Sequence, residues 1–314
     1  MRRVLVLSFA LALPAAAFAG STVNVQNGPP DEQVQRLVDA ERAFAKLALE
    51  TNIRDAFFEN MADDAILFRP TPVNGKDFFR ERPANPGPVL SWYPSHAELS
   101  GSGDLGWTTG PWEFRPAKDK APAAWGHFAS VWRKDSRGKF HVLLDEGHSC
   151  PKPPPQDSLT WARLSGSLNG REMIPLAEFS AAHDALNAAD AGYSKLLAEK
   201  GVGEALVRYA DDDVRLLRDD RAELRGLADA GKALAHEWDA GVAGWDVKVG
   251  AMSQANDLAF SYGIAKLGAK AKDSPDGRKV FRVWRRRPGA EWKLALDVTN
   301  PVPPPPPASA PKKP

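Results

Sequence analysis

The chain has very little cysteine: Cys150 is the single one among 314 residues. Cys150 has no intramolecular partner, so hydrophobic cores rather than disulfides must stabilise the folded state. An intermolecular disulfide and a plain thiol at or just below the surface both stay open for it. The sequence also lacks a phosphate-binding GxxxxGK[ST] loop, a GxSxG nucleophile elbow, an HExxH zinc motif and a paired CxxC. These absences exclude several common classes of enzyme.

Long apolar runs are also missing, except at the start of the sequence. Arg2 and Arg3 precede an apolar run over residues 4–17, which ends in the small-x-small cleavage pattern Ala17-Phe18-Ala19. We therefore expect residues 1–19 to be a signal peptide and the mature protein to be periplasmic or secreted. The run is short for a membrane span, so an uncleaved anchor is the weaker alternative.

The net charge is low as well. The formal charge is +1 at pH 7, and it becomes −1 when Arg2 and Arg3 are removed. A nearly neutral protein has no general attraction to nucleic acid. One basic stretch fits a solvated strand face better than an anion-binding patch: Arg278, Lys279, Arg282, Arg285, Arg286 and Arg287. We expect a small-molecule ligand or an envelope protein as partner, and no cofactor.

The main positive feature is an internal repeat. The stretch VWRKDSRGKFHVLLD at 131–145 recurs as VWRRRPGAEWKLALD at 283–297, an offset of 152 residues. Each copy is typical of two strands joined by a tight polar turn. Before each copy, the spacing of apolar residues changes from a helical period to a period of two. Each half therefore has helices first and strands afterwards, which predicts an α+β fold with an antiparallel sheet.

Proline-rich stretches divide the chain. We expect a leader at 20–30, a first domain at 31–150, a linker at 151–173, a second domain at 174–300 and a disordered tail at 301–314. Trp161, Leu164 and Leu168 are too few to make the linker a domain. A strap that lies on one of the two cores is the preferred interpretation.

The helix ERAFAKLA, the segment DDAILFR, the strand DLGWTTG and the closing hairpin together resemble the nuclear-transport-factor-two-like superfamily, and most of all its SnoaL-like branch. The resemblance covers about 31–150 and 174–300. It implies two tandem cone-shaped domains, each a long helix plus short helices packed in a curved antiparallel sheet around a pocket. It also implies an intramolecular pseudo-dimer of the two halves. It does not specify the chemistry, because this superfamily contains isomerases, dehydratases, cyclases and plain binding domains.

Glu41 is the first candidate catalytic residue. It lies on the apolar face of its helix, and its counterpart in the second half is Asp190. A buried carboxylate needs a partner. Since Arg69 and Arg218 also match between the halves, a carboxylate–arginine pair in each core is the structural interpretation. The functional interpretation makes Glu41 a general base with a raised pKa.

A second group of candidates follows the repeated hairpin: His127, His141, Asp145, Glu146 and His148. Simple alternation places His141 and Asp145 on one face, where acid/base chemistry or metal binding is conceivable. The corresponding residues of the second half make a poor metal site, so we expect no metal. In the alternative interpretation His127 and His141 lie on the outer face, half covered by the other domain.

Tryptophans on strands are candidates to stack on an aromatic ligand, although such residues are more often core. Trp107 and Trp132, with Arg69 and His141, are the predicted ligand-binding residues. The leading hypothesis is an exported tandem protein that binds a small, partly apolar ligand or a protein partner without catalysis. The alternative is a cofactor-free isomerase, dehydratase or hydrolase-like enzyme in the first domain, with Glu41, His127 or Asp145 as acid and base. A structural envelope protein is a third possibility.

Overall fold

The computed structural model describes residues 23–156, 158–166, 174–239, 241–268 and 277–302. The expected signal peptide, and residues 303–314 of the expected tail, lie outside these ranges. Among the described helices, none combines the length and the apolar character needed to cross a membrane.

The first half contains three helices and eight strands, and a ninth strand follows from the linker. In chain order they are β1 (Gln26–Asn27), α1 (Glu32–Glu50), α2 (Ile53–Asn60), β2 (Met61–Phe68), β3 (Pro72–Asn74), α3 (Gly75–Arg80), β4 (Val89–Trp92), β5 (His96–Leu99), β6 (Leu105–Arg115), β7 (Ala124–Lys134), β8 (Phe140–Ser149) and β9 (Thr160–Arg163).

The second half repeats this order with fewer strands. Its elements are α4 (Leu176–Lys200), α5 (Val202–Tyr209), β10 (Ala210–Leu217), β11 (Leu224–Arg225), α6 (Leu227–Ala233), β12 (Val242–Met252), β13 (Leu258–Leu267), β14 (Arg278–Arg285) and β15 (Lys293–Pro301).

Each half has its own sheet, so the predicted α+β class is confirmed. The first sheet has the order β1-β9-β5-β6-β7-β8-β2-β3, with β4 paired to β6 beyond β5. The second has the order β11-β10-β15-β14-β13-β12. The long central strands are antiparallel, whereas β2 pairs parallel with β8 and β10 parallel with β15. In each half, the strand that follows the second helix, β2 or β10, therefore lies beside the last long strand of the same half.

The long helix of the first half begins at a well-defined cap. The Asp31 carboxylate accepts hydrogen bonds from the backbone N–H groups of Gln33 and Val34, at 2.9 and 3.0 Å. One face of α1 is buried at helical spacing, and it packs against β4, β5 and β6. The buried residues are Val34, Leu37, Val38, Glu41, Phe44, Ala45 and Ala48.

Two regions add detail to the predicted order of elements. Residues 89–99 form two separate strands, β4 and β5, with Pro94 between them, because proline cannot donate to the ladder. The linker is more than a strap. Its β9 adds a parallel strand to β5, and β1 from the leader pairs with β9 in turn.

The two halves share a buried cluster as well as polar contacts. Leu99 and Trp107 of the first half belong to the same hydrophobic cluster as Phe260 and Phe281 of the second. At the edge of this cluster, Arg285 donates to Glu98 at 2.7 Å, with both side chains almost fully buried. Contact between the halves therefore involves core-like packing.

Candidate functional site

The first half contains a cavity of about 360 Å³ between its helices and the inner face of its sheet. Most of its wall is aromatic or aliphatic: Phe57, Leu90, Trp92, Trp112, Phe114, Ala124 and Phe128. Its polar groups are Arg69, Asp145, Glu146 and Lys279. Small-molecule sites typically combine an apolar wall with a few convergent polar groups, in volumes of roughly 300–1,000 Å³.

Two tryptophans form much of the aromatic wall. Trp112 lies over Gly126 of the neighbouring strand, where a Cβ atom would come within 2.5 Å of the indole ring. Glycine at this position lets the ring lie flat on the sheet. Trp92 packs edge-on against Phe44 of α1, with ring centroids 4.8 Å apart. The wall is therefore fixed by packing on both the sheet side and the helix side.

Asp145 supplies a carboxyl group at the polar end of the cavity. It accepts a hydrogen bond from the Ser130 hydroxyl at 2.8 Å. Burial raises the pKa of Asp145 to about 6, although the Ser130 hydrogen bond and the nearby charge of Arg69 both oppose the increase. Asp145 lines the cavity, and the residue as a whole is only partly buried. It can therefore gain or lose a proton near neutral pH while in contact with a ligand.

The second half contributes one wall residue. Lys279 on β14 donates a short hydrogen bond to the carboxylate of Glu146. Burial raises the pKa of Glu146, and the charge of Lys279 opposes that effect. The ion pair closes one side of the cavity, so the site depends on residues from both sheets.

Glu41 lies behind the cavity wall and is fully buried. It accepts hydrogen bonds from the indole of Trp92 at 2.6 Å, the hydroxyl of Thr108 at 2.5 Å and the indole of Trp132 at 3.0 Å. Burial raises the pKa of Glu41 to about 7 against the effect of these donors, and the negative charge of Asp145 adds to the increase. Glu41 thus fixes the indole of Trp92 and is not itself part of the cavity lining.

The predicted pairing of Glu41 with Arg69 is wrong. Glu41 faces β4, β6 and β7, whereas Arg69 follows β2, two strands further along the sheet from β7. The Arg69 guanidinium donates to the carbonyl of Phe68 at 2.7 Å and lies over the ring of Phe78, 5.4 Å from its centroid.

The predicted pairing of Asp190 with Arg218 in the second half is also wrong. Arg218 follows β10, which lies two strands away from β14. Asp190 pairs with Arg282 on β14, at 2.8 Å. Arg218 instead pairs with Asp297 at 2.9 Å and with Glu237 at 2.6 Å. Burial would raise the pKa of Asp297, but the charges of Arg218 and Arg282 hold it below its usual value.

The cavity of the second half is different in character. It has a volume of about 470 Å³ between α4 and β12. Charged and polar residues are prominent in its lining, among them Asp190, Lys195, Glu199 and Lys248, together with Trp245. Arg282 lies 5.2 Å from the centroid of the Trp245 ring and is fully buried. A buried charge network therefore occupies the region where the first half has an apolar pocket.

The predicted aromatic ligand-binding residues lie outside the pocket lining. Trp107 is 1% exposed, and its ring centroid lies 4.9 Å from that of His96 in the packing between the sheets. Trp132 is fully buried behind the wall and donates to Glu41 and Thr108. Both act as core residues, whereas Arg69 does line the pocket.

The prediction that His141 and Asp145 share a face is wrong because β8 contains a bulge. Val131 pairs with Leu144 and Trp132 with Val142, which leaves Leu143 as an extra residue. The bulge reverses the alternation, so Asp145 faces the pocket. His141 lies in another cleft, where its ring nitrogen is 3.3 Å from Asp135.

His127 lies in a third region, away from both Asp145 and His141. It lies on the outer face of the first sheet, opposite His148 across the β7–β8 pair. The two rings are stacked, with centroids 5.7 Å apart, and Cys150 lies 3.7 Å from His127 as measured from Sγ to Nδ1. All three side chains are buried, at 2%, 2% and 8% exposed. The candidate bases Glu41, His127 and Asp145 therefore do not form one constellation.

Several lining residues were not predicted. Phe57, Leu90 and Phe114 have an ordinary apolar pattern, and Trp92 lies in the short strand β4. Lys279 belongs to the other half, so no local pattern points to it. The alternation of side chains along a strand is the signal that could have found Phe128, which lies on the inner face of the sheet.

No protein-family model and no curated protein matches the sequence. Among solved structures, the chain is similar to a ketosteroid isomerase-like protein from Erwinia carotovora atroseptica, with a TM-score of 0.31 and 12% identity over 38% of this chain and 98% of that one. It is also similar to an NTF2-like protein of unknown function from Shewanella oneidensis, with a TM-score of 0.29 and 15% identity over 36% of this chain and 96% of that one.

Proposed function

We propose that the first half binds a small, partly apolar molecule in the aromatic cavity. The observation that carries this proposal is the division of the cavity surface: aromatic rings on its sides, and Asp145 with Arg69 at its polar end. A planar molecule with one hydroxyl group matches this surface, since its rings pack on Trp92 and Trp112 and its hydroxyl donates to Asp145.

The probe for this proposal is 2-naphthol, a fluorescent planar molecule with a single hydroxyl group. We expect saturable binding of one molecule per chain. Trp112→Ala removes part of the wall and should weaken binding by about 10-fold or more, the equivalent of about 1.4 kcal/mol. Trp245→Ala, in the cavity of the second half, is the matched control and should leave the affinity unchanged. Equal effects of the two variants would contradict the proposed location.

The pH dependence tests the role of Asp145. The pKa of about 6 means that its carboxylate, the better acceptor, is present mainly above pH 6. Affinity for 2-naphthol should therefore rise between pH 5 and pH 7. It should not change for naphthalene, which has no hydroxyl group. Asp145→Asn should weaken 2-naphthol binding by roughly 10–100-fold at pH 7.5, since hydrogen bonds to charged groups contribute about 1.5–3 kcal/mol, and should remove the pH dependence.

A second candidate function is acid/base chemistry in the same cavity. It is favoured by one observation: Asp145 contacts the cavity and has a pKa close to neutral, as an efficient general base requires. The test substrate is 2-tetralone, a bicyclic ketone with acidic α-protons. NMR should show faster exchange of these protons for deuterium with the wild-type chain than with Asp145→Asn. If the two exchange rates were equal while the wild-type chain still bound 2-naphthol, the cavity would bind ligands without catalysing this reaction.

We further propose that the protein acts outside the cytoplasm, where it meets its ligand or an envelope partner. The support is the charged, apolar and small-x-small order of residues 1–19. Intact-mass measurement of the chain produced in a Gram-negative host should show loss of these residues. Retention of the full-length mass in a membrane fraction would favour an anchor instead.

A further inference from the structure

The structure brings together three potential metal ligands away from the aromatic cavity. His127, His148 and Cys150 each offer one donor atom, and these three atoms lie within 4.8 Å of one another. The register of β7 and β8 causes this, because His127 is paired directly with His148 and Cys150 follows two residues later. We propose that this cluster is a binding site for a borderline-soft divalent transition-metal ion, with Zn²⁺ as the representative ion.

The side chain of His148 is the strongest argument for a ligand. It is 2% exposed, and neither of its ring nitrogens has a hydrogen-bond partner among the described residues. The backbone of Arg221 affects its pKa without forming a hydrogen bond of ordinary geometry. A buried imidazole without a partner is costly, and a metal ion would use one of these nitrogens.

The donor set suits such an ion. Two imidazoles and a thiolate are ligands that Zn²⁺ and its neighbours prefer. The 3.7 Å between Cys150 Sγ and His127 Nδ1 is close to the roughly 3.6 Å that tetrahedral zinc with ordinary Zn–S and Zn–N bonds requires. The donor atom of His148 must move closer to the other two, because the three atoms lie within 4.8 Å of one another.

The chemistry of the donors sets the proton balance of binding. An imidazole binds a metal through the lone pair of an unprotonated ring nitrogen, and a cysteine binds as the thiolate. Burial raises the pKa of the Cys150 thiol. Binding therefore replaces the thiol proton by the metal: an S–H bond breaks, a metal–sulfur bond forms, and one proton is released to the solvent.

Access to the cluster comes from the side of His127. This residue lines a cleft of about 490 Å³, together with Pro154 and Gln156 of the linker and Glu223 of the second half. The amide nitrogen of Gln156 is 3.5 Å from His127 Nε2. Three protein ligands next to an open cleft leave a fourth position for water or a small exogenous ligand.

The surrounding charges are largely compensated. Glu223 forms ion pairs with Arg215 at 2.6 Å and with Arg225 at 2.6 Å. Arg218, whose charge also lowers the pKa of His148, is paired with Asp297 and Glu237. The loss of the thiol proton adds one negative charge at the site itself, which offsets half of the charge of the ion.

The second half provides an internal comparison. Lys279 and Asn300 are paired across β14 and β15, as His127 and His148 are across β7 and β8. Val302 stands where the first half has Cys150. These residues offer no comparable donor set, so the proposed site belongs to the first half alone.

The test uses the full mature chain, purified without a polyhistidine tag and treated with a chelator. Calorimetric titration with Zn²⁺ should show one ion per chain. Titrations in two buffers of different ionisation enthalpy should show release of about one proton at pH 7.5. Co²⁺ should bind competitively and give a thiolate-to-cobalt charge-transfer band in the near ultraviolet. A folded chain that binds no stoichiometric Zn²⁺, or a Co²⁺ complex without this band, would overturn the proposal.

Variants locate the site. Cys150→Ser and His148→Gln should each weaken Zn²⁺ binding by at least about 100-fold, more than is typical for the loss of an outer-shell partner. His141→Gln is the matched control, because it removes a histidine of the same hairpin that lies in another cleft, and its affinity should equal that of the wild type. If His148→Gln does not fold, Cys150→Ser and the Co²⁺ spectrum of the wild type decide the question. Unchanged affinity in folded Cys150→Ser would refute the site.

Discussion

The interiors of the two halves differ at one pair of corresponding positions, Ser130 and Arg282. In the first half the Ser130 hydroxyl lies beside Asp145. In the second half the corresponding residue is Arg282, whose guanidinium lies beside Asp190 and Asp297, the counterparts of Glu41 and Asp145. The helices and strands around these residues are otherwise arranged alike. The serine accompanies an apolar cavity and two carboxyl groups with raised pKa values. The arginine accompanies a buried ionic network beside a more polar cavity.

This contrast assigns different roles to the two halves: the first has the cavity proposed for binding, and the second has a core stabilised by buried ion pairs. Carboxyl groups without a buried cation are costly for folding, since burial favours their neutral form. The presence of such carboxyl groups in the first half agrees with the proposal that the polar end of its cavity binds a ligand. In the second half the same positions contribute to a stable core, which supports the first sheet through the shared hydrophobic cluster.

The largest expected effect comes from removing the cation of the second half. Arg282→Met leaves Asp190 and Asp297 buried with fewer compensating charges. The free energy of unfolding should fall by about 3–5 kcal/mol, as is usual when one partner of a buried ion pair is lost. Urea denaturation followed by circular dichroism measures this change. Arg287→Met is the control, because Arg287 is exposed just after the same strand, and it should change stability by less than about 0.5 kcal/mol. Similar losses for both variants would contradict the comparison.

A smaller effect should appear in the pH dependence of stability. The pKa of Glu41 is raised in the folded state from 4.5 to about 7, so the folded state binds more protons than the unfolded state between these values. Glu41 therefore makes wild-type stability fall as pH rises from about 4 to 7. Glu41→Gln removes this slope, and the variant should gain roughly 1–3 kcal/mol relative to the wild type between pH 4.5 and pH 8.

The second half should show the opposite sign. The folded-state pKa of Asp297 is lowered, so its stabilising contribution is complete above its unfolded pKa and is lost as pH falls below about 4. The deficit of Asp297→Asn relative to the wild type should therefore be largest near neutral pH and shrink in acid. Denaturation curves between pH 3 and pH 8 measure both variants. Parallel pH profiles for the two would show that the interiors are not electrostatically different.

The smallest expected change comes from replacing Ser130 by the arginine that the second half has at the corresponding position. Ser130→Arg gives the first half the cation of the second, so it should pair with Asp145 and Glu41 and weaken 2-naphthol binding by at least about 10-fold, the equivalent of about 1.4 kcal/mol. Ser130→Ala is the matched control. It removes one hydrogen bond, which should cost about 0.5–1.5 kcal/mol of stability and shift the pH midpoint of binding upward. Retained binding in a folded Ser130→Arg variant would mean that this residue does not decide the character of the cavity.

Much of the fold could be predicted because the chain repeats it. The match of α1 with α4 and of the two hairpins depends on apolar spacing, which local sequence records directly. The β-bulge at Leu143 could not be read in this way, since alternation on both of its sides looks regular. This single extra residue moved Asp145 to the inner face and separated it from His141. It also set the register that places His148 opposite His127.

The site was predicted less well than the fold, because the residues that meet there are far apart in the sequence. Asp145 and Arg69 line the cavity, whereas Trp107 and Trp132 lie in the core. The partners of Glu41 come from β4, β6 and β7, and a pairing based on matched positions could not select them. Cys150 lies near two histidines only because two strands and a linker meet there.

The ion pair between Lys279 and Glu146 has a consequence for the history and the engineering of the chain. A cation on the second copy of the repeat closes a pocket in the first, so the two copies are no longer interchangeable modules. A first half cut from the second at the linker would carry the pocket without one of its walls and its sheet without its apolar cover. Each copy has become part of the folding environment of the other, and an intact pocket requires both.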